Sequence, residues 1–170
     1  MPVPTPTADD PTVDRATDEQ LIFAHKLERR EMLRYRGLAL SFLPTRPHIS
    51  RLMAALGVEC EQRSLALDEL AKRLEIRDYQ PTPLPRRLWL PKTNVHLFIV
   101  NEILAHQALD YALSAAHHSR QISALLAQFS RMDNLKALLQ HFVEQKRQEC
   151  RLLEEAKENA SPFSEWALSG

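Results

Sequence analysis

Eighteen residues from Ile76 to Thr93 lose all helical period and carry four prolines, Pro81, Pro83, Pro85 and Pro91, between two pairs of helical stripes. Leu21, Ala24, Glu28, Glu31, Tyr35, Leu38 and Phe42 recur at steps of three and four, which lines one face of a helix. Thr17 with Gln20 reads as a capping box at its start. Pro44 and Pro47 break the pattern, and a second stripe follows through Ile49, Met53, Leu56, Cys60, Ser64, Leu67 and Leu74. The spacing therefore predicts a helical hairpin over residues 17–43 and 48–75. A third helix is predicted over 94–130, with Leu97, Val100, Leu104, Ala108, Tyr111, Ala115, His118, Ile122, Leu125 and Phe129 facing inward. A fourth takes Leu135, Leu138, Phe142, Lys146, Glu149, Leu153 and Ala156 inward and ends near Pro162. A helix of about 25 residues is about 38 Å long, and an 18-residue proline-rich segment extends to about 55 Å. The connector can run the length of the molecule, which makes the second and third helices parallel.

Composition narrows the possible functions. Twenty-two basic and 22 acidic residues give a formal net charge of zero, so the positive field of a general nucleic-acid binder is missing. No run of about 18 apolar residues exists, so no membrane span is expected, and residues 1–16 lack the apolar stretch of a signal peptide. Only Cys60 and Cys150 are present, too few for a disulfide framework, and the expected address is the cytoplasm. Residues 1–16 read as a disordered arm, 17–160 as the bundle, and 161–170 as a tail in which Phe163, Trp166 and Leu168 dock or fray.

The polar members of the inward stripes carry the chemical information. Glu28 and Glu31 lie on the first stripe, Ser64 on the second with Glu61 one turn away, and Lys146 and Glu149 on the fourth. Burying a lone carboxylate or ammonium costs several kcal/mol unless it is paired or metal-bound, so partners are expected at the bundle centre.

On these residues the chain resembles the rubrerythrin branch of the ferritin-like superfamily, most clearly over residues 20–74 and more weakly over 97–158. The resemblance implies an all-α, ferritin-like four-helix bundle, two helical hairpins joined by the proline-rich crossover. In that family a first-helix glutamate precedes a tyrosine by seven residues, matched here by Glu28 and Tyr35. Its second-helix Glu-x-x-His is matched by Glu61 and Ser64, so the glutamate is kept and the histidine is not. The third-helix glutamate falls near Ser114 or Asp110, and the second Glu-x-x-His falls on Lys146 and Glu149, or on Glu144 and Arg147 in a shifted register. A family di-iron site needs about four carboxylates and two imidazoles around two cations.

Two functions follow from this departure. In the first, the di-iron site is degenerate and no metal is held. Lys146 pairs with Glu28, Glu61 or Glu149 in a core network that includes Glu31, Tyr35 and Ser64, and the protein acts by binding or assembly. In the second, Glu28, Glu61, Asp110 and Glu149 hold iron or manganese, and the protein is an oxidoreductase handling peroxide, oxygen or ferrous iron. No Cys-x-x-Cys pair is present for a rubredoxin-type centre, so redox turnover would need an outside electron donor. The resemblance also implies a homodimer or another protein partner. Spacing leaves further readings open. His106 with Asp110, and His117 or His118 beyond, could ligate a metal or simply face solvent. Cys60 and Cys150 could be redox-active or buried filler, and Arg29, Arg30, Arg34 and Arg36 a solvated or subunit-facing surface.

Overall fold

The computed structural model describes residues 11–76, 79 and 98–160, the first four by backbone alone. The connector anchors Leu84, Leu88, Trp89 and Leu90 and the tail residues Phe163, Trp166 and Leu168 lie outside the described residues. The described residues form four helices, α1 (Pro11–Phe42), α2 (Pro47–Arg73), α3 (Glu102–Phe129) and α4 (Asp133–Asn159), and no strand is found among them.

Helix α1 begins before the expected capping box, at Pro11, whose fixed φ and missing N–H suit a first helical turn. Thr17 is consequently buried within the helix rather than capping it. Pro44 ends α1 and Pro47 opens α2, a tight reversal in which Arg46 N–H donates to the Phe42 carbonyl at 2.9 Å. Helix α2 closes with Glu75 in the left-handed region (φ 52°), while Ile76 N–H reaches back to the Ala71 carbonyl. This is a Schellman stop made without glycine, which costs about 1 kcal/mol.

The third helix starts at Glu102, later than the pattern suggests, because Asn101 accepts from Leu104 N–H at 2.8 Å and caps it there. The preceding Ile99 is buried, its N–H donating to the Ser41 carbonyl at 2.9 Å and its carbonyl accepting from Thr45 at 2.6 Å. The N-terminus of α3 thus lies at the C-terminus of α1. At the other end, Gln20 donates to the Phe129 carbonyl. Helices α1 and α3 are therefore antiparallel, and α2 and α3 parallel. The chain leaves one end of the bundle at Tyr79 and re-enters at the opposite end at Phe98. Contacts are densest within the hairpins α1·α2 and α3·α4, with α1 also touching α3 and α2 touching α4.

One inward face differs from its expectation. Helix α3 buries Ala105, Leu109, Ala112, Ala116, Ser119, Ser123 and Ala127, one residue out of step with the bulky stripe, so that Tyr111, Leu125 and Phe129 are exposed. Hydrophobicity favours the bulky face, but volume decides the packing. Of the largest fully buried side chains only Leu109 comes from α3, while the other helices contribute Tyr35, Phe42, Met53 and Phe142. Small residues opposite large ones let close-packed layers interdigitate.

The apolar interior divides in two. One cluster, around Met32, Phe42, Met53, Leu109 and Leu153, fills the end where α1 finishes. The other, around Leu21, Leu67, Leu135, Leu139 and Phe142, fills the opposite end. Polar side chains occupy the stretch between them.

Candidate functional site

All four helices send a side chain to this central layer: Glu28 and Tyr35 from α1, Arg63 from α2, Ser119 from α3, Lys146 and Glu149 from α4. Each is at most 3% exposed. Lys146 Nζ lies 2.7 Å from Glu28 Oε1 and donates to Ser119 Oγ at 2.8 Å. Arg63 bridges the carboxylates, its Nε donating to Glu28 Oε2 at 2.8 Å and its Nη2 to Glu149 Oε2 at 3.0 Å. Tyr35 Oη donates to the remaining Glu149 oxygen. Each oxygen of Glu28 and Glu149 therefore faces a cation or a hydroxyl donor.

Glu31, one turn from Glu28, is equally buried and pairs with Arg34, whose guanidinium lies 5.5 Å over the Tyr111 ring. Three buried carboxylates thus meet three cations: Lys146, Arg63 and the largely covered Arg34. In a medium of low polarity this balance makes the layer tolerable, since an uncompensated charge there is far more costly than a neutral cluster.

The two first-helix carboxyls respond oppositely to their surroundings. Burial raises Glu28, but the ammonium of Lys146 and the guanidinium of Arg63 outweigh it and hold the carboxyl below its ordinary range. Its stabilising contribution is present above the unfolded-state value and is lost as pH falls through the lowered one. For Glu31, burial prevails over Arg34 and Lys146 and pushes the carboxyl up. The folded state then binds its proton more tightly than the unfolded state, so ionised Glu31 costs stability at neutral pH, and stability rises as pH falls through the raised value. Glu31→Gln should accordingly raise Tm at neutral pH and flatten the rise in stability as pH falls through the raised value. A variant less stable than the parent at neutral pH in a pH-resolved thermal scan refutes this.

Other sequence candidates lie elsewhere. Glu61 is half-exposed and pairs with Arg36 at 3.0 Å, and Asp110 pairs with Lys157 and approaches His106 at 3.5 Å on the surface. Hydrogen bonding from Lys157 holds the Asp110 carboxyl low. His117 faces Glu154 at 3.4 Å, also at the surface, and His118 is exposed. Ser64 is buried beside the cluster with its hydroxyl unpartnered. In the shifted register, Glu144 and Arg147 pair with each other on the outside of α4. Cys60 and Cys150 are both buried and free; burial pushes each thiol up, away from the reactive thiolate, and Cys60 Sγ accepts from Arg63 at 3.2 Å.

Arg63 is the participant that sequence reasoning missed. Its signal is present: it stands three residues after Cys60 and four before Leu67, so it shares their stripe. Likewise His25 is buried on α1, its Nε2 3.1 Å from Asp68 and its ring edge-on to Tyr79, which donates to the same Asp68 at 2.6 Å. That second cluster fastens the chain as it leaves α2.

The residues present do not fit a pair of metal ions. Divalent cations at the centre would have to displace Lys146 from one Glu28 oxygen and Arg63 from the other, and Glu61 and Asp110 are not at hand to add ligands. Among the described residues no three His, Cys, Asp or Glu side chains converge to hold a metal. Comparison with known protein families, with curated proteins and with solved structures finds no match.

Proposed function

We propose that this chain is a ferritin-like bundle of the rubrerythrin type in which a closed ion-pair cluster stands where the family holds its metals, and that it works by binding rather than catalysis, as an assembly module for a second copy or another protein. The observation that supports this reading is the saturation of Glu28 and Glu149: each carboxylate oxygen faces a protein cation or hydroxyl. A metal-dependent oxidoreductase needs at least some of those lone pairs free, with open coordination positions for its substrate.

Elemental analysis of tag-free protein, expressed with added iron and manganese, is the direct test. The expected metal content is below about 0.1 equivalent per chain, against about two for a filled di-metal site. Near two equivalents in the parent, lost in Glu28→Ala, overturns the proposal and makes peroxide turnover the next assay. None of the described helices is long and apolar enough to cross a membrane.

A further inference from the structure

Helices α2 and α4 meet less closely than the helices of either hairpin, and a cleft of about 250 Å³ between them leads from the surface to the charged layer. Leu56, Glu59 and Arg63 line it from α2, and Gln145, Gln148 and Leu152 from α4, with buried Glu149 beside them. Each set recurs at steps of three and four, so one face of each helix lines the seam for about two turns, about 10 Å. The two helices run antiparallel, which sets Leu56 opposite Leu152 at one end and Arg63 opposite Gln145 at the other. The contact of Arg63 with Glu149 fixes that register. The cleft follows from the sequence, because Arg63 and Glu149 turn inward to Glu28 and Tyr35 and the cysteine between them on the α2 face, Cys60, is too small to reach across.

Two groups at the polar end are left over from the ion-pair layer. Arg63 uses Nε on Glu28 and Nη2 on Glu149 and Cys60, and its Nη1 donates to no acceptor among the described residues. Gln145 Oε1 is buried and accepts from no donor among them. A covered acceptor without a donor is costly, and it marks a place where a donor from outside belongs.

We infer that this cleft binds a small neutral molecule, a primary carboxamide carried on an apolar group. The carbonyl oxygen accepts from Arg63 Nη1, the amide N–H donates to Gln145 Oε1, and the apolar group lies between Leu56 and Leu152. The terminal torsion of a glutamine is broad, so Gln145 can turn its oxygen toward the cleft. This site goes beyond the assembly reading and shares with it only the saturated cluster.

Charge selects a neutral ligand. Arg63 already faces two carboxylates, and Glu59 and Glu149 line the same cleft, so an anion would add a further negative charge to a compensated layer. A cation would have to sit against the guanidinium. An amide brings one acceptor and one donor side by side with no net charge. Size points the same way, since a cleft of this volume lies below the range that holds drug-sized ligands.

Heteronuclear NMR of the full chain, titrated with benzamide, tests the site. The side-chain N–H resonances of Arg63 and Gln145 should shift and saturate. Benzamidine, which offers only donors, and benzoate, which offers only acceptors, should bind at least about tenfold more weakly, because each leaves one buried group unmatched. Gln145→Met should weaken benzamide binding at least about tenfold with an unchanged far-ultraviolet CD spectrum. Leu152→Trp, which fills the apolar end from a largely exposed position, should abolish it. Gln140→Met, in the wider groove between α3 and α4, should bind as the parent does. No saturable shift up to the solubility of benzamide, equal or tighter binding of either charged analogue, or full affinity in both Gln145→Met and Leu152→Trp overturns the inference. Metal content of the same sample tests the saturated cluster separately, so the two can fail independently.

Discussion

Lys146→Met is expected to lower the unfolding free energy by about 3–5 kcal/mol, a fall in Tm of about 10 °C for a chain of this length. The ammonium is fully buried and is the partner of one Glu28 oxygen, so its removal leaves three interior carboxylates facing two cations. Methionine fills the volume but supplies no charge. The penalty therefore comes from the stranded carboxylate and not from a cavity, and a second substitution separates the two. Glu28→Gln on top of Lys146→Met removes one charge of each sign and should recover all but about 1–2 kcal/mol of the loss. Urea unfolding of the four proteins of this cycle measures the coupling. A single Lys146→Met variant as stable as the parent would show that the layer is not held by charge compensation.

Arg63→Met is the companion experiment, with an expected loss of about 3–5 kcal/mol. One guanidinium serves Glu28 through Nε and Glu149 through Nη2, at 2.8 and 3.0 Å, so the change takes a partner from a carboxylate on α1 and from another on α4 together, leaving Glu28 with Lys146 and Glu149 with the Tyr35 hydroxyl alone. Arg63→Lys should restore only part of this stability, because a single ammonium cannot reproduce a planar fork spanning two carboxylates. Equal stability of the lysine variant and the parent in the same urea titration would mean that Arg63 contributes as a point charge alone.

The two-hairpin architecture was legible because prolines at 44, 47 and within 81–91 punctuate long runs of helical period, and both effects are local. Glu28, Lys146 and Glu149 stood out for a related reason, since a charge on an apolar stripe needs a partner. Arg63 did not stand out because the family motif pointed at its neighbour Ser64, and residues 63 and 64 straddle the same inward direction; only the three-dimensional packing shows that the arginine reaches across while the serine stays short. Glu61 shows the converse, a motif-matched glutamate turned toward Arg36 at the surface. The inward face of α3 was misread by one residue. A hydrophobicity pattern ranks Ile and Phe above Ala and Ser, whereas the space left by Tyr35, Phe142 and Met53 admits only the smaller set.

That alanine and serine seam on α3 has a consequence for axial alignment. Bulky side chains act as knobs that fix how far one helix sits along another, and a seam nearly without them resists sliding weakly. A slip of one turn, about 5.4 Å, would exchange Ala116 or Ser119 for Ala112 or Ser123 with little change in apolar contact. The polar contacts do change. Lys146 would lose Ser119, and Ile99 could no longer meet both Ser41 and Thr45. The hydrogen bonds at the middle and at one end of α3 thus act as a detent, setting its position by direction and reach where shape alone would leave it free to travel.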